Sequence, residues 1–168
     1  KSTAAKAVCE RQVRERGGND PLIVLQDADR DEAASLAAAG SYKNSGQRCT
    51  AVKRMLVHEK VADAFVERLV ARTKAWSYGD PMDDSLEMGT VIDAAAAKNF
   101  EARVNDAVSR GAKLLVGNVR SGAVYSPTVI DHVDPEMDVV RTETFGPVSP
   151  VIRFRDIDHA IATFLVDA

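Results

Sequence analysis

One stretch of this chain is built for nucleophilic chemistry. Cys49 lies between Arg48 and Thr50 in the run Asn44, Ser45, Gly46, Gln47, Arg48, Cys49, Thr50. A neighbouring cation and nearby backbone N–H groups both favour a thiolate, which is the attacking form of cysteine. The run joins an Ala-rich helical segment to a basic-then-apolar strand, at a junction where a helix could open. Cys49 is therefore the candidate nucleophile. The other reactive residue types offer less. Cys9 and Cys49 are too few for a disulfide framework. His58, His132 and His159 are scattered without metal-ligand spacing, so no metal site is expected. Gly17 and Gly18 read as a turn and not as a phosphate cradle, since no G-x-G-x-x-G follows a strand.

The elements that must hold such a thiol can be read along the chain. Residues 2–11 predict a helix and residues 12–15 a short extended piece. The run from Gly17 to Pro21 predicts a turn. Residues 22–25 form a compact apolar run, expected as a buried strand. Asp27, Asp29, Asp31 and Glu32 then bring acids to a helix start, where they suit the macrodipole. That helix should run to about Lys43. A strand at 54–57, an amphipathic helix at 59–76 and a loop through Gly79 to Glu87 follow. A helix at 93–110 ends at Gly111, a residue suited to a helix C-terminus. Strands are expected at 113–116, 126–130 and 148–154, with turns at 117–122 and 134–136. Asp156 or Asp158 should cap a last helix. Alternating strands and helices predict an α/β fold, a three-layer domain with a mostly parallel sheet.

Composition narrows the class. The chain has 168 residues, 45% of them hydrophobic and 28% charged, enough for a sizeable core. A net charge of −3 favours neither nucleic acid nor an anionic membrane as a partner. No apolar run reaches the length of a membrane span. The start at Lys1, Ser2 and Thr3 has no apolar leader and no Met, so a cytoplasmic fragment or trimmed product is expected.

Three ordered motifs resemble those of the aldehyde dehydrogenase superfamily. They are the run Glu15 to Pro21, the run Asn44 to Cys49, and the run Glu143, Thr144, Phe145, Gly146, Pro147. Glu15 stands 34 residues before Cys49, and Glu143 stands 94 after it. The resemblance covers nearly the whole chain and implies a catalytic-domain segment, residues 1–168, without the cofactor-binding domain and without a C-terminal part of about a hundred residues. It implies that Cys49 attacks an aldehyde carbonyl, with the oxyanion held by the Cys49 N–H and by an Asn outside this chain. Hydride would pass to NAD or NADP, and Glu15 would activate water to hydrolyse the resulting thioester. Glu143 would bind the nicotinamide ribose, with Phe145 packed beside it. The full-length family forms homo-oligomers.

The run from Asn44 to Arg54 looks most like members acting on phosphonate- or phosphate-bearing aldehydes, such as phosphonoacetaldehyde or glyceraldehyde 3-phosphate. Arg48 would then bind a small anionic aldehyde through its bidentate fork. The family pattern has an apolar residue after the motif Glu, whereas Arg14 and Arg16 flank Glu15. Two cations would lower the Glu15 pKa and weaken it as a base. The expectation for this chain by itself is feeble or no activity. The rival readings are a non-catalytic piece that keeps the fold, and a Cys49-dependent esterase.

Overall fold

The computed structural model describes residues 18–164. Inside its sheet lies β2 (Arg54–His58), buried along its whole length. Leu56 packs into one apolar cluster, while Met55 and Val57 pack into another. This period-two split is what a strand covered on both faces requires. β1 (Pro21–Val24) and β7 (Val148–Phe154) flank β2, both parallel to it. β6 (Thr128–Asp131) extends the parallel set beyond β7, and β3 (Lys113–Val116) closes that edge antiparallel. The order is β1-β2-β7-β6-β3.

Helices cover both faces. α1 (Arg30–Tyr42) and α2 (Glu59–Ala75) bury Ala34, Ala37, Ala38, Tyr42, Phe65 and Leu69 against one side. α3 (Ala94–Ser109), α4 (Asp138–Arg141) and α5 (Ile157–Phe164) close the other, through Phe100, Val104, Val140 and Ala160. The result is the three-layer α/β arrangement that the strand–helix alternation predicts. No helix among the described residues is long and apolar enough to cross a membrane.

Several local expectations need correction. β1 is an edge strand in the described structure, with Ile23 45% exposed, and it is not the buried strand its apolar run suggests. The turn region at 117–122 opens a small hairpin that runs to Tyr125, β4 (Arg120–Ser121) with β5 (Val124–Tyr125), reversed at Gly122 with φ 59°. α4 is too short for helical periodicity to show in sequence. His58 ends β2, a position where the sequence alone suggests a surface residue. It is buried: its Nδ1 accepts from the Lys60 amide at the start of α2, and its ring meets Phe154 edge-on. Asp156 caps α5 by accepting from the His159 amide. The helix and extended piece expected over 2–15 lie outside the described residues.

Candidate active site

The thiol loop begins where α1 runs out. Asn44, Ser45 and Gly46 all have positive φ, at 55°, 54° and 69°. Two consecutive non-glycine residues in this region are costly, so surrounding contacts must impose them. Ser45 Oγ donates towards the carbonyls of Gly89 (3.3 Å) and Thr90 (3.0 Å). Asn44 Nδ2 donates to the Gln47 carbonyl at 3.2 Å, and Gln47 Oε1 accepts from the Ile92 amide at 2.8 Å. Glycine is required at 46 for two reasons: its positive φ, and the carbonyl of Gly146, which a Cβ there would strike. The chain then turns, so that Cys49 emerges exposed ahead of β2. The thiol sits on a turn, and no helix opens at it.

Two cations buttress that turn. Arg48 Nη2 donates to the Gly40 carbonyl at 2.9 Å, at the last turn of α1. The guanidinium is thus anchored through Nη2 to helix carbonyls. Lys53 is 2% exposed. Its Nζ donates to the carbonyls of Gly46 (2.8 Å) and Arg48 (3.1 Å) and lies 4.5 Å from the centre of the Phe145 ring. Burial pushes the Lys53 pKa below its ordinary value, and the Glu143 carboxylate opposes this. Beneath the loop, the phenol of Tyr42 accepts from Ser149 Oγ at 2.9 Å and pairs with Thr73 Oγ1 at 3.0 Å; burial raises its pKa to about 12.

The segment 142–147 approaches from β7. Arg103 of α3 holds it, donating from Nη1 to the Glu143 carbonyl (2.7 Å) and Thr144 Oγ1 (3.1 Å), while its Nε pairs with Asp138 at 3.2 Å. Gly146 lies against the Phe100 ring, where a Cβ would collide. Glu143 is half-buried and its Oε1 accepts the Gly18 amide at 3.2 Å. Phe145 keeps 38% of its surface exposed.

The entry segment 18–20 completes the cluster. A Cβ on Gly18 would lie 3.1 Å from the Cys49 carbonyl oxygen. Asn19 Nδ2 donates to the Val140 carbonyl at 2.6 Å, and Arg54 Nε donates to the Asn19 carbonyl at 2.8 Å. Cys49, Arg48, Glu143 and Phe145 are therefore on one side of the molecule, on loops in mutual contact. Glu15 lies outside the described residues, three positions before Gly18. The described residues hold no cluster of three or more His, Cys, Asp or Glu able to bind a metal ion.

Reading the sequence alone misses four contributors. Arg103 sits mid-helix with no signal to distinguish it. Gly146 and Gly18 were inside the motifs, but their contacts span the chain. Lys53 read as part of an anion-attracting run, whereas its charge is buried under the thiol loop.

Residues 1–164 match the aldehyde dehydrogenase family, and the chain belongs to it. It is 44% identical over 139 residues to a vanillin dehydrogenase of Pseudomonas fluorescens, covering 83% of this chain and 29% of that protein. It is 40% identical over 160 residues to the NAD(P)+ succinate semialdehyde dehydrogenase Sad of Escherichia coli (strain K12), covering 94% of this chain and 35% of that protein. The crystal structure of a succinate-semialdehyde dehydrogenase from Burkholderia pseudomallei superposes with a TM-score of 0.89 at 36% identity, over 97% of this chain and 35% of that one. The chain thus spans about a third of the length of the curated relatives it matches.

Proposed function

We propose that this chain is the catalytic-domain segment of an NAD(P)+-dependent aldehyde dehydrogenase, with Cys49 as nucleophile. The observation that carries this reading is the meeting of the three motif segments, through the Gly18 amide on Glu143, Gly18 against the Cys49 carbonyl, and Gly46 against Gly146. An exposed thiol, a half-buried carboxylate and a partly exposed aromatic ring on touching loops suit the nicotinamide end of a dinucleotide. Glu143 would hold the ribose hydroxyls, and Phe145 would wall the ring. When bound, NAD(P)+ supplies the hydride acceptor.

Residues of this chain take the next roles. The Cys49 thiolate attacks the aldehyde carbon, and the Cys49 N–H faces the oxyanion of the thiohemiacetal. After oxidation, the Cys49 thioester is hydrolysed by water that Glu15 deprotonates. The aldehyde is proposed to be small and anionic, carrying a phosphonate, phosphate or comparable group. Arg48 supports this as a fixed positive charge beside the thiol. A bidentate grip would require its guanidinium to leave the Gly40 carbonyl.

The test measures NAD(P)H formation by the full-length product of the encoding gene, with phosphonoacetaldehyde, succinate semialdehyde and an uncharged aldehyde of similar size. Cys49→Ser should lower kcat by on the order of a thousandfold or more. Arg48→Leu should raise KM for the anionic substrates only. Turnover that survives Cys49→Ser would exclude the mechanism, and equal efficiency with the uncharged aldehyde would exclude the substrate class.

A further inference from the structure

We propose that Lys53 is a positioning residue that ties the thiol loop to the Phe145 segment, so that the two order and loosen together. The proposal rests on the reading of Cys49 as nucleophile and Phe145 as part of the cofactor wall, and it adds a residue that neither role requires. A lysine at 2% exposure is rare unless its ammonium is satisfied. Here two carbonyls take two of its three donors. They belong to Gly46 and Arg48, which bracket Gln47 just before Cys49. The Gly46 carbonyl is the last of the three left-handed residues, so the bond from Nζ pins the loop where its backbone is least favourable.

The remaining side of the ammonium faces the Phe145 ring at 4.5 Å, within the range of a cation–π contact strengthened by burial. The charges facing Lys53 are those of Glu143, Arg48, Asp20 and Cys49, drawn from all three motif segments. Carboxylate and thiolate favour the ammonium, while Arg48 and burial oppose it. Losing the ammonium would therefore remove a cation beside the thiol and free the ring from the loop in a single change.

The test uses amide hydrogen exchange and the rate of Cys49 alkylation by iodoacetamide, neither of which requires turnover. Lys53→Met should speed exchange at least tenfold in both segments, 44–51 and 142–147, and slow Cys49 alkylation at pH 7.5 at least fivefold. Lys53→Arg should hold alkylation within twofold of the parent. Phe145→Leu, which leaves both carbonyl bonds intact, should speed exchange in 44–51. The proposal fails if Lys53→Met loosens 44–51 while 142–147 keeps the parent rates, because Lys53 would then only prop its own loop. It fails equally if Phe145→Leu leaves 44–51 unchanged. A full-length gene product that shows the coupled exchange but forms no NAD(P)H would sink the dehydrogenase reading and leave this one standing. In an active enzyme, Lys53→Met should also raise KM for NAD(P)+ as kcat falls, whereas a residue confined to the thiol loop would lower kcat alone.

Discussion

The two ends of the parallel sheet are built differently. In most open α/β sheets, ligands bind beyond the carboxyl ends of the strands. Here those ends are occupied by ordinary helix starts. Asp29 caps α1, His58 caps α2 and Asp156 caps α5, each accepting a backbone amide. A cavity of about 450 Å³ lies there, lined by Leu25, His58, Phe154 and Asp156 among others. The opposite end, where the strands begin, carries Gly18 before β1, Cys49 before β2 and Glu143 before β7. It also has the consecutive positive-φ residues, the glycine-to-glycine contact and the buried lysine. The run of consecutive left-handed residues and the buried lysine lie at the end with the thiol, while the other end has a single left-handed non-glycine residue, His132 after β6, and a buried Asp131 paired with Arg153. Strained backbone persists only where its surroundings over-determine it, and it clusters at functional sites.

The contrast can be broken by substitution. Gly46→Ala forces a side chain into a left-handed residue and against the Gly146 carbonyl, and should destabilise by about 3 kcal/mol in urea unfolding. Gly122→Ala is the matched control: its φ is also positive, but nothing lies within 4 Å, and about 1 kcal/mol is expected. Equal losses would mean that the contact between the two loops carries no weight.

Tyr42 offers a pH test of the same end. Its phenol titrates near 12 in the fold against 10 when exposed, so the neutral form is the stabilising one. Its contribution is complete below pH 10 and is lost as pH rises from 10 to about 12, amounting to roughly 2–3 kcal/mol. Urea midpoints measured across that window should fall, and less steeply in Tyr42→Phe. The smallest effect belongs to the other end. Asp156→Ala removes a helix cap, should cost about 1 kcal/mol and should leave the Cys49 alkylation rate within twofold.

Much of this was legible in the sequence, for reasons that differ by residue. Cys49, Glu143 and Phe145 stand in contiguous motifs, so local spacing marks them. The capping acids and Gly111 also act locally, and the helices of 13, 17 and 16 residues fall within a residue or so of expectation. What depends on distant partners was not legible. The Arg48 guanidinium is claimed by helix carbonyls nine and eight positions earlier, which its residue type does not reveal. Burial of Lys53 depends on Phe145, brought in by the β2–β7 pairing. The exposure of β1 reflects its place at the edge, which an apolar run of four residues cannot disclose.

The central claim is that the chemistry sits at the strand-entry end, on Cys49. The most direct measurement is mass analysis of the full-length gene product carrying Glu15→Gln, quenched after reaction with NAD(P)+ and aldehyde. If Glu15 is the water-activating carboxylate, as proposed, the acyl thioester should accumulate on the Cys49 peptide, with about one NAD(P)H formed per chain in a first burst. An acyl group found elsewhere, or a burst with Cys49 unmodified, would contradict the claim.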